Sequence, residues 1–495
     1  MKPLLAVARL VTRHKLRKLD VLSAGTPDEA PASKFRELYD ALHDGRVRTD
    51  REAARLLYDA EPGDPRYRQL KSRFRRRLYN TLFFVDQNRP HRRAFDHTYH
   101  SCQREWALVN ILRASEAHEP ALAAAKSLLA TCERYGFTAL TAECARFLAD
   151  AAADAGDLDA AERRGATAAQ AARELYREVA SAQAVRALRI RVAAAAPSAG
   201  SPTGALPPGL AAGEAPDASP ALRYDYLEAR ILLDELRGDA AAVSRGVEAV
   251  ATYADAAPQL LRERRLRDLR HRQLRALAAL GDRAAFRTAA AATETLCPAG
   301  SDAWHHLRRL VAAGELAIGD PALARASVVA ALRHRSARHL LAPEREASTL
   351  VAALTHVVAA ADLPAAAELL GDGPSFGRGY EALSAWRLVV EATLAQALCD
   401  PAARDAAVDA LRGLAVRRLT RARHPRLYAF AHVLTRQARH GFAGAPDRVA
   451  RRYLRDLARA PFRLDVSPAR FAPFDLARML PAFGIDADES ARAAA

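Results

Sequence analysis

Residues 147–169 read FLADAAADAGDLDAAERRGATAA: an Ala-rich run, the step Gly156-Asp157, and a second Ala-rich run. Gly just past a helix accepts the left-handed backbone that ends it. An Asp directly after it can take hydrogen bonds from the open amides of the next helix and suits that helix's positive end. The same junction returns at Gly238-Asp239, Gly281-Asp282 and Gly319-Asp320, and with another residue before the acid at Ala361-Asp362 and Cys399-Asp400. Successive Asp residues lie 82, 43, 38, 42 and 38 positions apart. The first interval is about twice the others, and its midpoint falls in the Pro/Gly/Ser/Ala-rich stretch 193–220, AAAAPSAGSPTGALPPGLAAGEAPDASP, which is expected to hold no helix. A period near forty residues of helix, turn and helix describes hairpins that bury their apolar faces only by stacking. The expected fold is all-α, an α-solenoid of stacked antiparallel helical hairpins with 38–43 residues per repeat.

These junctions resemble the tetratricopeptide repeat. Leu148 and Ala149 stand where that family has Leu-Gly, Gly156-Asp157 form the turn, and Ala161 and Ala168 match its two small packing positions. Gly319-Asp320 followed by Ala324 and Ala331 gives a second, partial match. The chain departs from the family at its aromatic positions, Gly165 standing where Phe or Tyr is usual, and in a longer repeat. The resemblance covers about residues 120–440 and implies a binding scaffold without specifying a partner.

Composition narrows the alternatives. Half of the 495 residues are apolar, many of them Ala, while aromatics make up only 6% and long β-branched runs are absent, which argues against extensive sheet. Five cysteines (Cys102, Cys132, Cys144, Cys297, Cys399) form no CxxC pair; so sparse and odd a set predicts reduced thiols and a cytoplasmic protein. The Arg and Ala bias points to a GC-rich, bacterial genome. No run of 18 uncharged apolar residues occurs, so no membrane span is expected.

The net charge of +16 is concentrated. Thr49 and Glu52 form a capping-box signature, Asp64-Pro65 opens another helix, and Tyr67, Leu70, Phe74, Leu78, Leu82 and Val85 then make one apolar stripe. Around that stripe lie ten cations (Arg66, Arg68, Lys71, Arg73, Arg75, Arg76, Arg77, Arg89, Arg92, Arg93) against one acid, Asp86. Between Arg412 and Arg459, thirteen Arg, with Arg417, Arg418, Arg421 and Arg423 among them, face only Asp447 and Asp456. Both segments are candidate contacts for polyanions or an acidic partner. Of the aromatics among these cations, Phe83, Phe84, Phe95 and Tyr99, the helical spacing of the apolar residues assigns the rings to the core rather than to bases.

Catalytic chemistry finds no constellation. His97 and His100 share a helix face with Asp96 and Glu105 nearby, but Cys102 points elsewhere and no second ligand pair follows. Gly373-Pro374-Ser375-Phe376-Gly377 matches the string G-x-S-x-G but follows the helical run LPAAAELL, not a strand. Neither a phosphate-binding Gly-rich loop nor HExxH occurs. No enzyme activity, metal or cofactor is expected. The domain reading is a basic helical module at 1–100, hairpins at 101–195, a flexible insertion at 196–220, the main array at 221–460 and a capping segment at 461–495. The expected function is a non-catalytic scaffold or adaptor holding another protein in its groove; the alternative is a nucleic-acid-associated regulator using basic segments 66–93 and 412–459.

Overall fold

The computed structural model describes residues 4, 7, 34–44, 46–47, 49–81, 94–194, 206–215, 218–256, 263–371, 373–374, 376–442, 445–460 and 462–485. Among them the fold is all-helical; the one β-feature is an isolated bridge between Asp465 and Ala472. The helices are α1 (Lys34–His43), α2 (Asp50–Tyr58), α3 (Pro65–Thr81), α4 (Ala94–Ala114), α5 (His118–Tyr135), α6 (Thr138–Asp154), α7 (Leu158–Ala194), α8 (Pro220–Arg237), α9 (Ala240–Ala256), α10 (Glu263–Leu280), α11 (Arg283–Glu294), α12 (Asp302–Ile318), α13 (Pro321–Arg333), α14 (Ala342–Val358), α15 (Leu363–Leu370), α16 (Glu381–Ala397), α17 (Pro401–Arg417), α18 (Pro425–Ala438) and α19 (Arg448–Arg459). Two compact units divide at Leu128. The boundary expected at residue 100 lies inside α4, because the change there is one of charge and not a break in the helix.

In the first unit α1, α2 and α3 form a small cluster around Leu38, Leu42, Leu57, Tyr67, Phe74 and Leu78. The capping box at α2 is formed in both directions, Glu52 N donating to Thr49 Oγ1 at 3.2 Å and Thr49 N to Glu52 Oε2 at 3.1 Å. Tyr67, Leu70, Phe74 and Leu78 are all buried, as their spacing requires; Leu82 and Val85 lie outside the described residues.

In the second unit the helices pair as neighbours: α6 with α7, α8 with α9, α10 with α11, α12 with α13, α14 with α15, α16 with α17, and α18 with α19. All six expected Asp residues cap the second helix of a pair. Asp157, Asp239, Asp282, Asp320, Asp362 and Asp400 accept, through Oδ1, the amides of Ala160, Ala242, Ala285, Leu323, Ala365 and Ala403 at 2.8–3.2 Å. Gly156, Gly238, Gly281 and Gly319 hold φ between +72° and +92°, and Cys399 takes the same left-handed region at 56°. At the fifth turn the left-handed residue is Ala360, one place earlier than the glycines, and Asp362 itself also has positive φ. A seventh acid, Asp447, caps α19 through Val449 N and Ala450 N.

Each pair touches the next. The second helix packs on the following first helix, and α10, α12, α14, α16 and α18 also touch in series. Charged pairs join positions about one repeat apart. Arg189 Nη2 lies 2.5 Å from Glu228, and Arg265 reaches both Asp225 and Glu228. Arg272 pairs with Glu235, the fully buried Arg309 with Glu344, and Arg387 with Glu346 at 2.6 Å. Removing one member of a buried pair strands its partner's charge and costs about 3–5 kcal/mol.

Two segments depart from expectation. Pro208–Ala211, inside the stretch expected to be helix-free, forms one α-helical turn that continues as a 3-10 turn to Glu214 and buries Leu210 against α7 and α8. Pro208 sits at the first helical position, where its missing N–H costs nothing. Residues 195–205 and 216–217 lie outside the described residues.

The chain after α19 does more than cover the last pair. Arg463 donates to Val192 O of α7 at 2.7 Å and to Glu235 O of α8 at 3.4 Å. Leu464 and Val466 pack with Leu274, Leu277, Leu307 and Leu310 of α10 and α12. Phe471 meets Trp386 of α16 edge-on at 6.4 Å, and Arg426 of α18 pairs with Asp475. Phe474, Met479, Leu480 and Phe483 complete the core shared by α14, α16 and α18. Every first helix has an apolar face, so a Pro-interrupted, Phe-rich tail finds partners along the series.

Two substitutions test this packing in denaturant melts. Asp320→Ala is expected to cost about 1 kcal/mol, the value of one N-cap. Phe471→Ala is expected to cost about 3–5 kcal/mol, as a core deletion does, whereas a loosely attached tail would lose under 1.

Candidate polyanion interface

Helix α3 is placed by its buried stripe, so its other residues face outward. Asp64 opens it by accepting from Arg66 N at 2.8 Å. Asp50 ties it to α2: Lys71 Nζ lies 2.6 Å from Asp50 Oδ1, and Tyr67 Oη donates to the same oxygen at 2.7 Å. Burial alone would raise the Asp50 carboxyl, but these two hydrogen bonds and the Lys71 charge pull it down to about 2. The same burial and the adjacent Asp50 carboxylate push the Tyr67 phenol up.

Of the sequence candidates on α3, three are engaged within the unit. Arg66 pairs with Asp64 at 2.9 Å, Lys71 with Asp50, and Arg77 stacks on the Phe35 ring at 4.7 Å. Arg68, Arg73, Arg75 and Arg76 are exposed and, among the described residues, have no acid within ion-pair distance. Arg89, Arg92 and Arg93 lie outside the described residues, as do Phe83 and Phe84. Phe95 is buried and Tyr99 half-buried, and their rings stack on each other at 6.3 Å.

The second basic segment is built differently. Arg417 donates to Gly413 O at 2.9 Å, Arg418 to Phe376 O at 3.3 Å, and Arg421 lies 2.7 Å from Asp456. Arg426 is spent on the carbonyls of Leu457 and Ala460 and on Asp475, and Arg436 on Asp447 at 2.6 Å. Arg423 and five Arg on α19 (Arg448, Arg451, Arg452, Arg455, Arg459) are exposed. Much of this charge therefore joins helices to one another.

The repeat-turn residues Gly156, Asp157, Gly238, Asp239, Gly281, Asp282, Gly319, Asp320, Asp362 and Asp400 are occupied in capping. Sequence reading missed the meeting of His305 and His334 on Ser336, whose Oγ lies 2.7 and 2.8 Å from them. Ser336 N also donates to His334 Nδ1, so this group caps the short 3-10 turn Arg335–His339. The rings of His271 and His306 meet at 5.0 Å, tilted by 41°, between α10 and α12, where burial, with Arg275 and Arg267 beside it, drives His271 down to about 3. No group of three His, Cys, Asp or Glu able to hold a metal occurs among the described residues. Ser375 of the G-x-S-x-G string lies outside the described residues. Two open clefts, of about 300 and 360 Å³, are lined by charges already paired, such as Arg237 with Asp234 and Arg287 with Glu315. No described helix is long and apolar enough to cross a membrane. No family model, curated protein or solved structure matches the chain.

The Asp50 carboxyl supplies a pH test. Its folded pKa lies below the ordinary 3.8, so its contribution is complete above about pH 4 and is lost as pH falls toward 2. Asp50→Asn is expected to lower stability by about 1 kcal/mol at neutral pH, discounted for partial exposure, and to flatten that acid limb in a circular-dichroism titration.

Proposed function

We propose that the protein is a non-catalytic helical-repeat scaffold, a degenerate tetratricopeptide-type solenoid, whose recognition surface is the cationic face of α3 and whose partner is a nucleic acid. The observation that carries this reading is the contrast between two surfaces. Arg68, Arg73, Arg75 and Arg76 are exposed and, among the described residues, have no acid beside them, while the apolar faces of α10, α12, α14, α16 and α18, where a scaffold of this kind would hold a peptide, are packed against residues 462–485. An Arg row without neutralising carboxylates attracts phosphates and gives up condensed counterions on contact. The buried free thiols Cys144 and Cys297 and the exposed free Cys399 support a reducing compartment such as the cytoplasm.

The test is fluorescence anisotropy of the full chain with a labelled DNA duplex across about 50–200 mM salt. Affinity is expected to fall steeply, with a log–log slope of about −0.9 per phosphate contacted. Replacing Arg68, Arg73, Arg75 and Arg76 by Ala together is expected to abolish binding while leaving the thermal melt in place. Salt-independent binding, equal binding by the quadruple variant, or preference for poly-glutamate over the duplex would refute the reading.

A further inference from the structure

We propose that α3 is a major-groove reading helix, so that the partner is double-stranded DNA recognised by sequence. This rests on the nucleic-acid reading above and adds the class of nucleic acid.

The distribution of residue types around α3 carries the proposal. With about 100° between successive residues, the face opposite the buried stripe of Tyr67, Leu70, Phe74 and Leu78 is formed by the exposed ring of Tyr79 and by four exposed polar residues, Gln69, Ser72, Arg76 and Asn80. These are the side chains that recognise base edges: Arg bidentate to guanine, Gln or Asn bidentate to adenine, Ser to either. Cations flank that row on both sides. Arg68 and Arg75 stand on one edge; Arg73 stands on the other, next to the engaged Arg66 and Arg77. A mostly uncharged row with one central cation, Arg76, between two cationic margins matches a groove whose floor is base edges and whose two walls are phosphates.

The dimensions agree. From Gln69 to Asn80 is about 16 Å of helix at 1.5 Å per residue, or about five base-pair steps of 3.4 Å. A helix with its side chains, about 10–12 Å across, enters the B-form major groove of about 12 Å, whereas the deep, narrow major groove of duplex RNA excludes it. A single-strand binder would instead need exposed rings for stacking. Tyr67 and Phe74 are turned into the core, and Tyr79 is the one aromatic of α3 at the surface.

The energetics of α3 also favour an anionic occupant. Its 17 residues contain no Asp or Glu, and Arg68/Lys71, Lys71/Arg75, Arg73/Arg76 and Arg73/Arg77 are like-charge neighbours at three or four positions. An ordinary solvated helix alternates signs at these spacings, and each repulsive pair costs a few tenths of a kcal/mol. Phosphates on either side relieve that repulsion.

The experiment selects binders of the full chain from short DNA duplexes of randomised sequence, and measures affinity for the selected duplex, an unselected duplex, its single strands and an RNA duplex of the same sequence. The selected motif is expected to span about four to six base pairs, with at least tenfold preference over unselected duplex. Arg76→Ala and Asn80→Ala should relax preference at individual positions without changing the salt slope. Arg68→Ala and Arg75→Ala should weaken all duplexes alike and reduce the slope by about 1 each. Steep salt-dependent binding with no selected motif, or with equal affinity for single strands or duplex RNA, would overturn the major-groove assignment and leave the broader reading standing. Absence of salt-dependent binding to any polynucleotide would remove both.

Discussion

One aspartate at each turn does two jobs. At Asp157, Asp239, Asp320 and Asp400 the backbone amide closes the preceding helix onto a carbonyl five residues back, at 2.8–3.0 Å. The side chain of the same residue accepts an amide of the next helix. The chain therefore reverses within two or three residues with few polar groups left open, and the paired helices must lie antiparallel with their apolar faces aligned. Everything downstream in the second unit, from the stacking of pairs to the path of the tail, assumes those tight reversals.

Stacking leaves two problems that the sequence solves with different chemistry. Register between pairs is fixed by charged contacts about one repeat apart, such as Arg265 with Asp225 and Glu228, which a slipped packing would strand in a dry interface. The remaining apolar faces of α10, α12, α14, α16 and α18 pack against residues 462–485, whose Phe471, Leu480 and Phe483 are as buried as any helix core. The consequence is functional. The apolar faces of α10, α12, α14, α16 and α18 are already used inside the molecule, and exposed Arg with no acid beside them, among the described residues, lie on α3 and on α19.

Legibility in the sequence followed the range of the interactions. The Gly-Asp turns, the Thr49–Glu52 box and the stripe on α3 involve residues within a few positions of each other, so composition and spacing reveal them. The Asp447 cap escaped because its left-handed partners, Gly441 and Phe442, stand several residues ahead instead of adjacent. The route of the tail depends on contacts such as Arg463 to Val192 and Arg478 to Ala317, across 271 and 161 residues, which no local pattern encodes. Charge counting treated segments 66–93 and 412–459 alike. Side-chain partners separate them only in part: among the described residues Arg421, Arg426 and Arg436 are each held by an acid, while Arg68, Arg73, Arg75 and Arg76 of α3, like Arg423 and five Arg of α19, are not.

The central claim is a division of labour, with the stacked pairs closed on their own tail and recognition left to α3. Hydrogen-exchange mass spectrometry of the full chain, with and without saturating duplex DNA, tests it most directly. The account predicts new protection confined to residues 65–81 and their immediate supports, with amides of α8 through α18 unchanged. Protection spreading along α10, α12, α14 and α16, or release of residues 462–485 on binding, would contradict it.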